Sequence, residues 1–102
     1  MKDNLPQVSI LWVNYNSMGI MDVVRKSLSG IRDLDYPRYE VIIVDNGSTD
    51  GSFNAIKSHV ERIGLKARIV RLGKNLGFTS GNNVAYRLVS RDSKYDALHN
   101  YV

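Results

Sequence analysis

Residues 41–52, Val41-Ile42-Ile43-Val44-Asp45-Asn46-Gly47-Ser48-Thr49-Asp50-Gly51-Ser52, join an apolar run to a cluster of turn-forming residues. Consecutive apolar residues that end in turn formers are typical of a strand buried on both faces, as in a parallel sheet. In open α/β sheets, ligands bind just outside the carboxyl ends of such strands. Asp45 is therefore predicted to lie at a position where its carboxylate can bind a ligand.

The segments around this strand predict further strands and helices in alternation. Short segments rich in apolar residues predict strands over residues 8–13, 39–45 and 67–72, and residues 95–98 could begin a fourth. Strands separated by helical segments indicate an α/β fold with right-handed crossovers. We therefore expect a Rossmann-like parallel sheet with flanking helices, and an incomplete one, because a last strand so near residue 102 leaves a sheet edge with little to cover it.

Helical spacing of apolar residues predicts the helices between these strands. Over residues 18–33 the apolar face holds Ile20, Val24, Leu28 and Ile31. A second helix carries the apolar residues of 53–63 and ends at Gly64, and a third carries residues 84–89. His59 falls on the polar side of the second helix, so we expect it at the surface.

Composition excludes several classes of protein. A chain of 102 residues fits one small domain or part of a larger one, and 43% apolar with 24% charged residues is ordinary for a globular protein. There is no apolar run of bilayer length and no signal peptide, so a cytoplasmic protein is expected. The absence of cysteine excludes disulfides and thiolate metal sites. The basic residues behind the net charge of +4 are scattered, which argues against a nucleic-acid polymer as partner.

Familiar nucleotide and hydrolase motifs are missing. The turn after the first strand, residues 14–19, has one glycine and lacks the G-x-G-x-x-G pattern of dinucleotide-binding units. Neither a phosphate-binding P-loop nor a G-x-S-x-G nucleophile motif occurs. The site must therefore be sought among other residues.

Polar residues follow each of the first three predicted strands. Asn14 and Tyr15 follow the first, Asp45 and Asn46 the second, and residues 75–83 the third. In a parallel sheet these sets converge on one rim, where amides could bind a nucleobase edge, Asp45 could accept from a ring N–H or ribose hydroxyl, and Tyr15 could stack. Taken singly, each has a structural explanation as turn, helix cap or loop glycine. Their convergence favours a site.

Three ordered motifs carry a resemblance to a known family. Residues 8–16, 40–52 and 75–83, the last with Asn75-Leu76-Gly77-Phe78 and Gly81-Asn82-Asn83, resemble the N-terminal half of a family-2 glycosyltransferase. That family has the GT-A fold and transfers a sugar from a nucleotide-diphosphate donor to an acceptor hydroxyl with inversion. The form of the third motif is similar to the rhamnosyltransferase-like branch.

The resemblance implies roles for individual residues. Asp45 would bind the donor base, Asn14 and Tyr15 would line the base pocket, and residues 75–83 would shape the nucleotide side of the cleft. In that last segment the implied donor-binding residues are Asn75, Gly77 and Asn82. Asp50 matches the motif as well, and we interpret it mainly as loop and helix-start structure.

The resemblance also implies groups that these 102 residues do not supply. Family members hold a divalent cation, Mg²⁺ or Mn²⁺, on the donor pyrophosphate through an Asp-x-Asp motif after the third helix, and use a carboxylate base further on. Residues 95–102 lack that pair. We expect residues 1–102 to be the nucleotide-sugar-binding part of a glycosyltransferase domain, truncated before the metal motif and inactive alone. The full-length enzyme could also associate with a membrane, and its acceptor is unknown.

Two alternatives stay open at this point. The chain could be a non-catalytic nucleotide-sugar-binding module that another chain completes. It could also be a self-associating fragment that forms a homodimer through the open sheet edge.

Overall fold

The computed structural model describes residues 5–75, 77, 83, 84 and 87, together with the backbone of residues 97–101. Four strands and two helices are defined in this part of the chain, with a short 3₁₀ helix before the first α-helix. In chain order they are β1 Val8–Asn14, the 3₁₀ helix Met18–Ile20, α1 Met21–Arg32, β2 Tyr39–Asp45, α2 Ser52–Ile63, β3 Ala67–Arg71 and β4 Ala97–Tyr101.

The strands form one sheet in the order β3-β2-β1-β4, with every neighbouring pair parallel. The predicted α/β architecture with a parallel sheet is therefore confirmed. The register places Asn14 beside Asp45 and Asp45 beside Arg71, so the last residues of β1, β2 and β3 lie in one row. This row is the rim at which the polar motifs were expected to converge.

Both faces of the sheet are covered by apolar side chains, which explains the uninterrupted apolar runs of β1 and β2. On one face Ile10, Trp12, Val41 and Ile43 pack against the buried residues of α1 and α2. On the other face Leu11, Ile42 and Val44 form a smaller cluster. The central strands are thus held from both sides, and their carboxyl ends are fixed in space.

Helix α1 begins later than the apolar spacing predicts, and Ile20 was wrongly placed on its buried face. The helix buries Met21, Val24, Leu28 and Ile31, whereas Ile20 is 58% exposed. Residues 18–20 form a 3₁₀ turn with three residues per turn, which rotates Ile20 away from the face that α1 buries.

The surface position predicted for His59 is also wrong. His59 is 8% exposed and lies between α1 and α2, where its Nε2 is 3.1 Å from the Arg25 carbonyl oxygen and 3.2 Å from Ser29 Oγ. His59 can be buried because polar groups on α1 form hydrogen bonds with its ring. The positions of apolar residues in α2 do not reveal these partners on another helix. Gly64 ends α2 as predicted, with a positive φ of 70°.

The other predicted elements have mixed outcomes. The fourth strand exists, but it spans Ala97–Tyr101 rather than beginning at residue 95. The predicted third helix lies largely outside the described residues; of its segment, residues 83, 84 and 87 are helical. Within the described part of the chain, no helix combines the length and the apolar character needed to cross a bilayer.

Two leucines, one inside α1 and one just after it, test the packing of this helix. Leu28 is fully buried between α1 and the sheet, while Leu34 is 42% exposed. Leu28→Ala is expected to lower the free energy of unfolding by about 2 to 5 kcal/mol, because it removes buried contacts and leaves a cavity. Leu34→Ala, the matched control, should change it by about 0.5 kcal/mol or less. Urea unfolding measures both, and equal effects would contradict the described position of α1.

Candidate functional site

The rim of the sheet is organised around two buried polar side chains, Asn14 and Asp45, which are 3% and 1% exposed. Asn14 Nδ2 donates to Asp45 Oδ1 at 2.8 Å. Ser48 donates to the same carboxylate twice, from its hydroxyl to Oδ1 at 2.7 Å and from its backbone N–H to Oδ2 at 2.9 Å. Both oxygens of Asp45 are therefore occupied by hydrogen bonds from the protein itself.

Asn14 extends this network to the start of α2. Its Nδ2 also lies 3.0 Å from Ser52 Oγ and 3.2 Å from Ser48 Oγ, and its Oδ1 accepts from the Ser17 hydroxyl at 2.5 Å. Buried polar groups are stable only when they are paired, so this set of bonds explains why two polar residues can end two buried strands.

Two further bonds join the segment after β1 to the β2–α2 loop. The N–H of Asn16 donates to Ser48 Oγ at 2.9 Å, and Asn16 Oδ1 accepts from the Thr49 N–H at 2.7 Å. Asp50 adds another, accepting the Met18 N–H at Oδ2 (3.0 Å) and the Ser52 N–H at Oδ1 (2.9 Å). This agrees with the structural role predicted for Asp50.

These bonds also affect the acidity of Asp50. Desolvation raises the pKa of its carboxyl, but the hydrogen bonds from the Met18 N–H and from Ser52 outweigh it and hold the pKa below the usual aspartate value. Asp50 therefore remains a carboxylate, and an acceptor for both segments, over the whole neutral range.

The segment after β1 and the β2–α2 loop, joined by these bonds, form a platform at the rim of the sheet. The loop after β3 packs onto this platform. Asn46 Nδ2 donates to the Gly77 carbonyl oxygen at 2.9 Å, and the Gly77 N–H donates to Asn75 Oδ1 at 2.6 Å. Gly47 has a φ of 78°, and a Cβ at this position would lie 2.4 Å from the Asn75 backbone nitrogen. Only glycine fits both the conformation and the close approach of the two loops.

A cavity of about 380 Å³ opens at the carboxyl end of β1, beside this platform. Its volume falls within the usual range of small-molecule sites. One wall is apolar and is formed by Trp12, Ile20, Val23 and Val24. The remaining lining residues are mostly polar: Val13, Asn14, Tyr15, Ser17, Ser27, Asn46, Asn75 and Gly77. A lining that combines apolar side chains with amide groups suits a flat, polar-edged ligand.

The structure brings together four of the six predicted donor-binding residues. Asn14, Tyr15, Asn75 and Gly77 line the cavity, and the ring of Tyr15 is available because the residue is 48% exposed. Asp45 lies under the platform and is absent from the lining, so its contact with a base stays a prediction. Asn82 lies outside the described residues.

The sequence placed Asn46 on the rim but not among the six donor-binding residues, and it did not assign Ser48 or Trp12 to the site. Asn46 is the cavity-lining residue that follows Asp45, and Ser48 connects Asp45 to Asn14 and Asn16. The asparagine and the serine belong to the turn after β2, but their roles depend on contacts with the segment after β1. Trp12 looks like an ordinary core residue in the sequence, and its place in the wall appears only in three dimensions.

A second cavity of about 400 Å³ lies on the β3 side of the platform. Arg71 lines it and stacks over Phe53, with the guanidinium carbon 4.7 Å from the ring centroid. Its Nη2 also lies 3.5 Å from the Ser48 carbonyl oxygen, at the limit of a hydrogen bond. These contacts place Arg71 against the β2–α2 loop.

The described residues do not fit a divalent-cation site. Within them, no group of three or more His, Asp or Glu side chains is arranged to hold a metal ion. The two acids at the rim already use both oxygens, Asp45 with Asn14 and Ser48, and Asp50 with Met18 and Ser52. These two carboxylates therefore stabilise the loops instead of offering ligands to a metal.

Comparison with known proteins gives one consistent family. The profile described as Glycosyl transferase family 2 matches residues 9–95. A putative teichuronic acid biosynthesis glycosyltransferase of Bacillus subtilis is 31% identical over 80 residues, which are 78% of this chain and 30% of that protein. A dodecaprenyl-phosphate galacturonate synthase of Rhizobium johnstonii is 46% identical over 48 residues, covering 46% of this chain and 14% of the relative.

A solved structure shares the fold. A mannosyltransferase from Pyrobaculum calidifontis, in complex with GDP-Man and Mn²⁺, superposes with a TM-score of 0.72 at 29% identity. The match covers 85% of this chain and 25% of that one. The predicted GT-A type of fold is thereby confirmed, and the chain spans less than a third of the length of each of these three proteins.

Gly47→Ala tests the close approach of the two loops. The substitution combines a positive φ with a clash against backbone atoms, and it should lower the free energy of unfolding by about 2 to 5 kcal/mol. Gly51 also has a positive φ, but a Cβ there meets nothing within 4 Å. Gly51→Ala should therefore cost only about 1 to 2 kcal/mol. Denaturant unfolding of the pair isolates the clash, and equal losses would argue against the contact.

Asp50→Asn tests the bonds between the segment after β1 and the β2–α2 loop. Because the pKa of Asp50 is lowered on folding, its carboxylate stabilises the native state above the unfolded pKa, and this effect is lost as the pH falls through the folded value. We expect the wild type to melt above the variant at pH 7 and the gap to close at acidic pH. Asp35→Asn, in the exposed loop before β2, is the control. A gap that stays constant as the pH falls until the carboxyl is protonated in the folded protein would contradict the assignment.

Proposed function

The chain belongs to glycosyl transferase family 2, and from that membership we propose that it forms the part of the enzyme that binds the nucleotide of a nucleotide-diphosphate sugar. The parent reaction is transfer of the sugar to an acceptor hydroxyl. Because the chain spans 30% or less of the length of the relatives named above, the activity of the whole enzyme is part of this proposal.

The observation that carries the proposal is the cavity at the carboxyl end of β1. It combines an apolar wall with an exposed tyrosine ring and several amide groups, which is the chemistry that a nucleobase requires. Its position, outside the carboxyl ends of parallel strands, is where α/β sheets bind ligands. The GDP-Man in the structure of the related mannosyltransferase supports a nucleotide sugar as the ligand class.

Within this proposal the residues divide into two groups. Tyr15 stacks on the base, and Asn14, Asn75 and Gly77 line the pocket around it, as the resemblance implies. Asp45 orients Asn14 and Ser48, and its predicted contact with the base remains part of the proposal, as does that of Asn82. Asp45→Ala is a poor probe of binding, because removal of this buried carboxylate also disrupts the platform.

Catalysis is proposed to depend on groups outside the described residues. A divalent cation is expected to neutralise charge on the departing diphosphate, and a carboxylate base to deprotonate the acceptor. The Mn²⁺ bound by the related mannosyltransferase supports the cation. We therefore expect no sugar transfer by the 102-residue protein, even with Mg²⁺ or Mn²⁺ and a panel of donors. Turnover under these conditions would refute this part of the proposal.

Finer assignments stay predictions of the sequence. The rhamnosyltransferase-like branch is supported by the form of residues 75–83. A homodimer through the open sheet edge and a cytoplasmic location are further predictions, which sedimentation and cell fractionation can test.

Tyr15→Ala is expected to weaken binding of the preferred nucleoside diphosphate by about tenfold, because base stacking on an aromatic ring contributes about 1 to 3 kcal/mol. Calorimetry with UDP, dTDP and GDP measures the affinity of the wild type and identifies the base. Tyr15→Phe keeps the ring and should retain most of the affinity.

Tyr36→Ala is the matched control for this experiment. Tyr36 precedes β2 at the opposite end of the sheet, where its hydroxyl donates to the Pro6 carbonyl oxygen. Its loss should leave nucleotide affinity unchanged. The proposal is contradicted if the wild type binds none of the three nucleotides, or if both alanine variants bind equally well.

A further inference from the structure

Residues 14–18, at the end of β1 and just after it, have an alternating arrangement. The even-numbered residues hold the end of β2 and the β2–α2 loop: Asn14 contacts Asp45 and Ser48, Asn16 contacts Ser48 and Thr49, and Met18 contacts Asp50. The odd-numbered residues, Tyr15 and Ser17, line the cavity, and Asn14 borders it as well. The bonds on one side of this segment therefore determine what is presented on the other.

Asn16 occupies the centre of this arrangement in an uncommon conformation. Its φ is 47°, and it is the one non-glycine residue with a positive φ in the part of the chain that the structure describes. Asparagine tolerates the left-handed region better than most residues but still favours other conformations. Two bonds hold it there, from its N–H to Ser48 Oγ at 2.9 Å and from the Thr49 N–H to its Oδ1 at 2.7 Å.

Glycine would satisfy the backbone of this turn with less strain, yet it has no side chain to accept the Thr49 N–H. The side chain at position 16 therefore contributes something beyond the turn. The side-chain oxygen of Asn16 binds the β2–α2 loop at Thr49, and this loop is in turn bonded to the buried Asp45. Asn16 directly follows Tyr15 in the chain, so the bond restrains the backbone beside the tyrosine. Tyr15 is 48% exposed, so the backbone on either side of it must be held if the ring is to keep one position.

We propose that Asn16 is a positioning residue, whose bonds to Ser48 and Thr49 fix Tyr15 against the cavity before the nucleotide binds. For the identity of the ligand this inference rests on the proposed function. Asn16 itself is absent from the cavity lining and acts through its neighbour. Preorganisation of this kind raises affinity because the ring does not have to be ordered when the ligand arrives.

The first test uses the ligand-free 102-residue protein, with amide hydrogen exchange measured residue by residue. In Asn16→Gly the Thr49 amide should exchange about fivefold faster than in the wild type, which corresponds to the loss of one hydrogen bond. NMR relaxation should show that the backbone amide of Tyr15 is more mobile in Asn16→Gly than in the wild type. Asn16→Asp keeps an acceptor oxygen and tolerates the positive φ, so it should restore the protection of Thr49.

The second test compares nucleotide affinity with stability. Asn16→Gly should bind the nucleoside diphosphate preferred by the wild type about 2-fold to 12-fold more weakly, as expected for ordering one side chain on binding. Its melting temperature should change little, because glycine relieves the strain of the positive φ. Trp12 is the single tryptophan and lines the cavity, so its fluorescence reports binding directly. Asn54→Ala, at an exposed position on α2, is the control and should match the wild type in both tests.

The outcomes separate this inference from the proposed function. Unchanged Thr49 exchange in Asn16→Gly overturns the positioning role, and so does faster exchange with unchanged Tyr15 mobility or unchanged affinity. A wild type that binds no nucleoside diphosphate overturns the proposed function instead. In that case exchange at Thr49 and mobility at Tyr15 still decide whether Asn16 holds this segment.

Discussion

The rim of this protein depends on a buried carboxylate that has to be stabilised by hydrogen bonds from the protein rather than by water. Asp45 ends the central strand β2 and is 1% exposed, beside Asn14 at the end of β1. A carboxylate in such a position is tolerated only if donors surround it. Asn14 and Ser48 supply them, and Ser48 can do so only if the β2–α2 loop folds back over the strand ends. The conformation of the β2–α2 loop thus brings Ser48 to the buried Asp45 carboxylate, where it donates hydrogen bonds to both oxygens.

Once the β2–α2 loop is fixed, it organises its neighbours. Ser48, Thr49 and Asp50 of this loop form hydrogen bonds with the segment after β1, and Gly47 packs closely against the loop after β3. Three loops that follow three different strands therefore behave as one platform with a cavity beside it. A binding site assembled in this way needs few residues that touch the ligand, because the buried network provides the rigidity. Asp45 therefore shapes the candidate site through the residues that it holds in place, Asn14 and Ser48.

Much of the fold was predictable from local pattern. Strands β1 and β2 contain continuous apolar runs, β3 is a short segment with three apolar residues, and Gly64 is a typical helix end. The prediction failed where a tertiary contact or a change of helix type decides the outcome. Ile20 leaves the apolar face because a 3₁₀ turn precedes α1, and His59 is buried because polar groups of α1 receive it.

For the site, the convergence of Asn14, Tyr15, Asn75 and Gly77 was predicted from the parallel sheet. The division between Asp45 beneath the platform and Asn46 at the cavity was not predicted, because adjacent residues of a turn look alike in sequence.

The proposed function requires that a nucleotide binds in the cavity at the end of β1. Chemical-shift mapping tests it most directly, with ¹⁵N-labelled protein titrated with the nucleoside diphosphate of highest affinity. We predict that the largest shifts occur at the residues lining the cavity: Trp12, Asn14, Tyr15, Asn46, Asn75 and Gly77. Shifts centred instead on Arg71 and Gly73 in the second cavity, or the absence of any saturable shift, would contradict it.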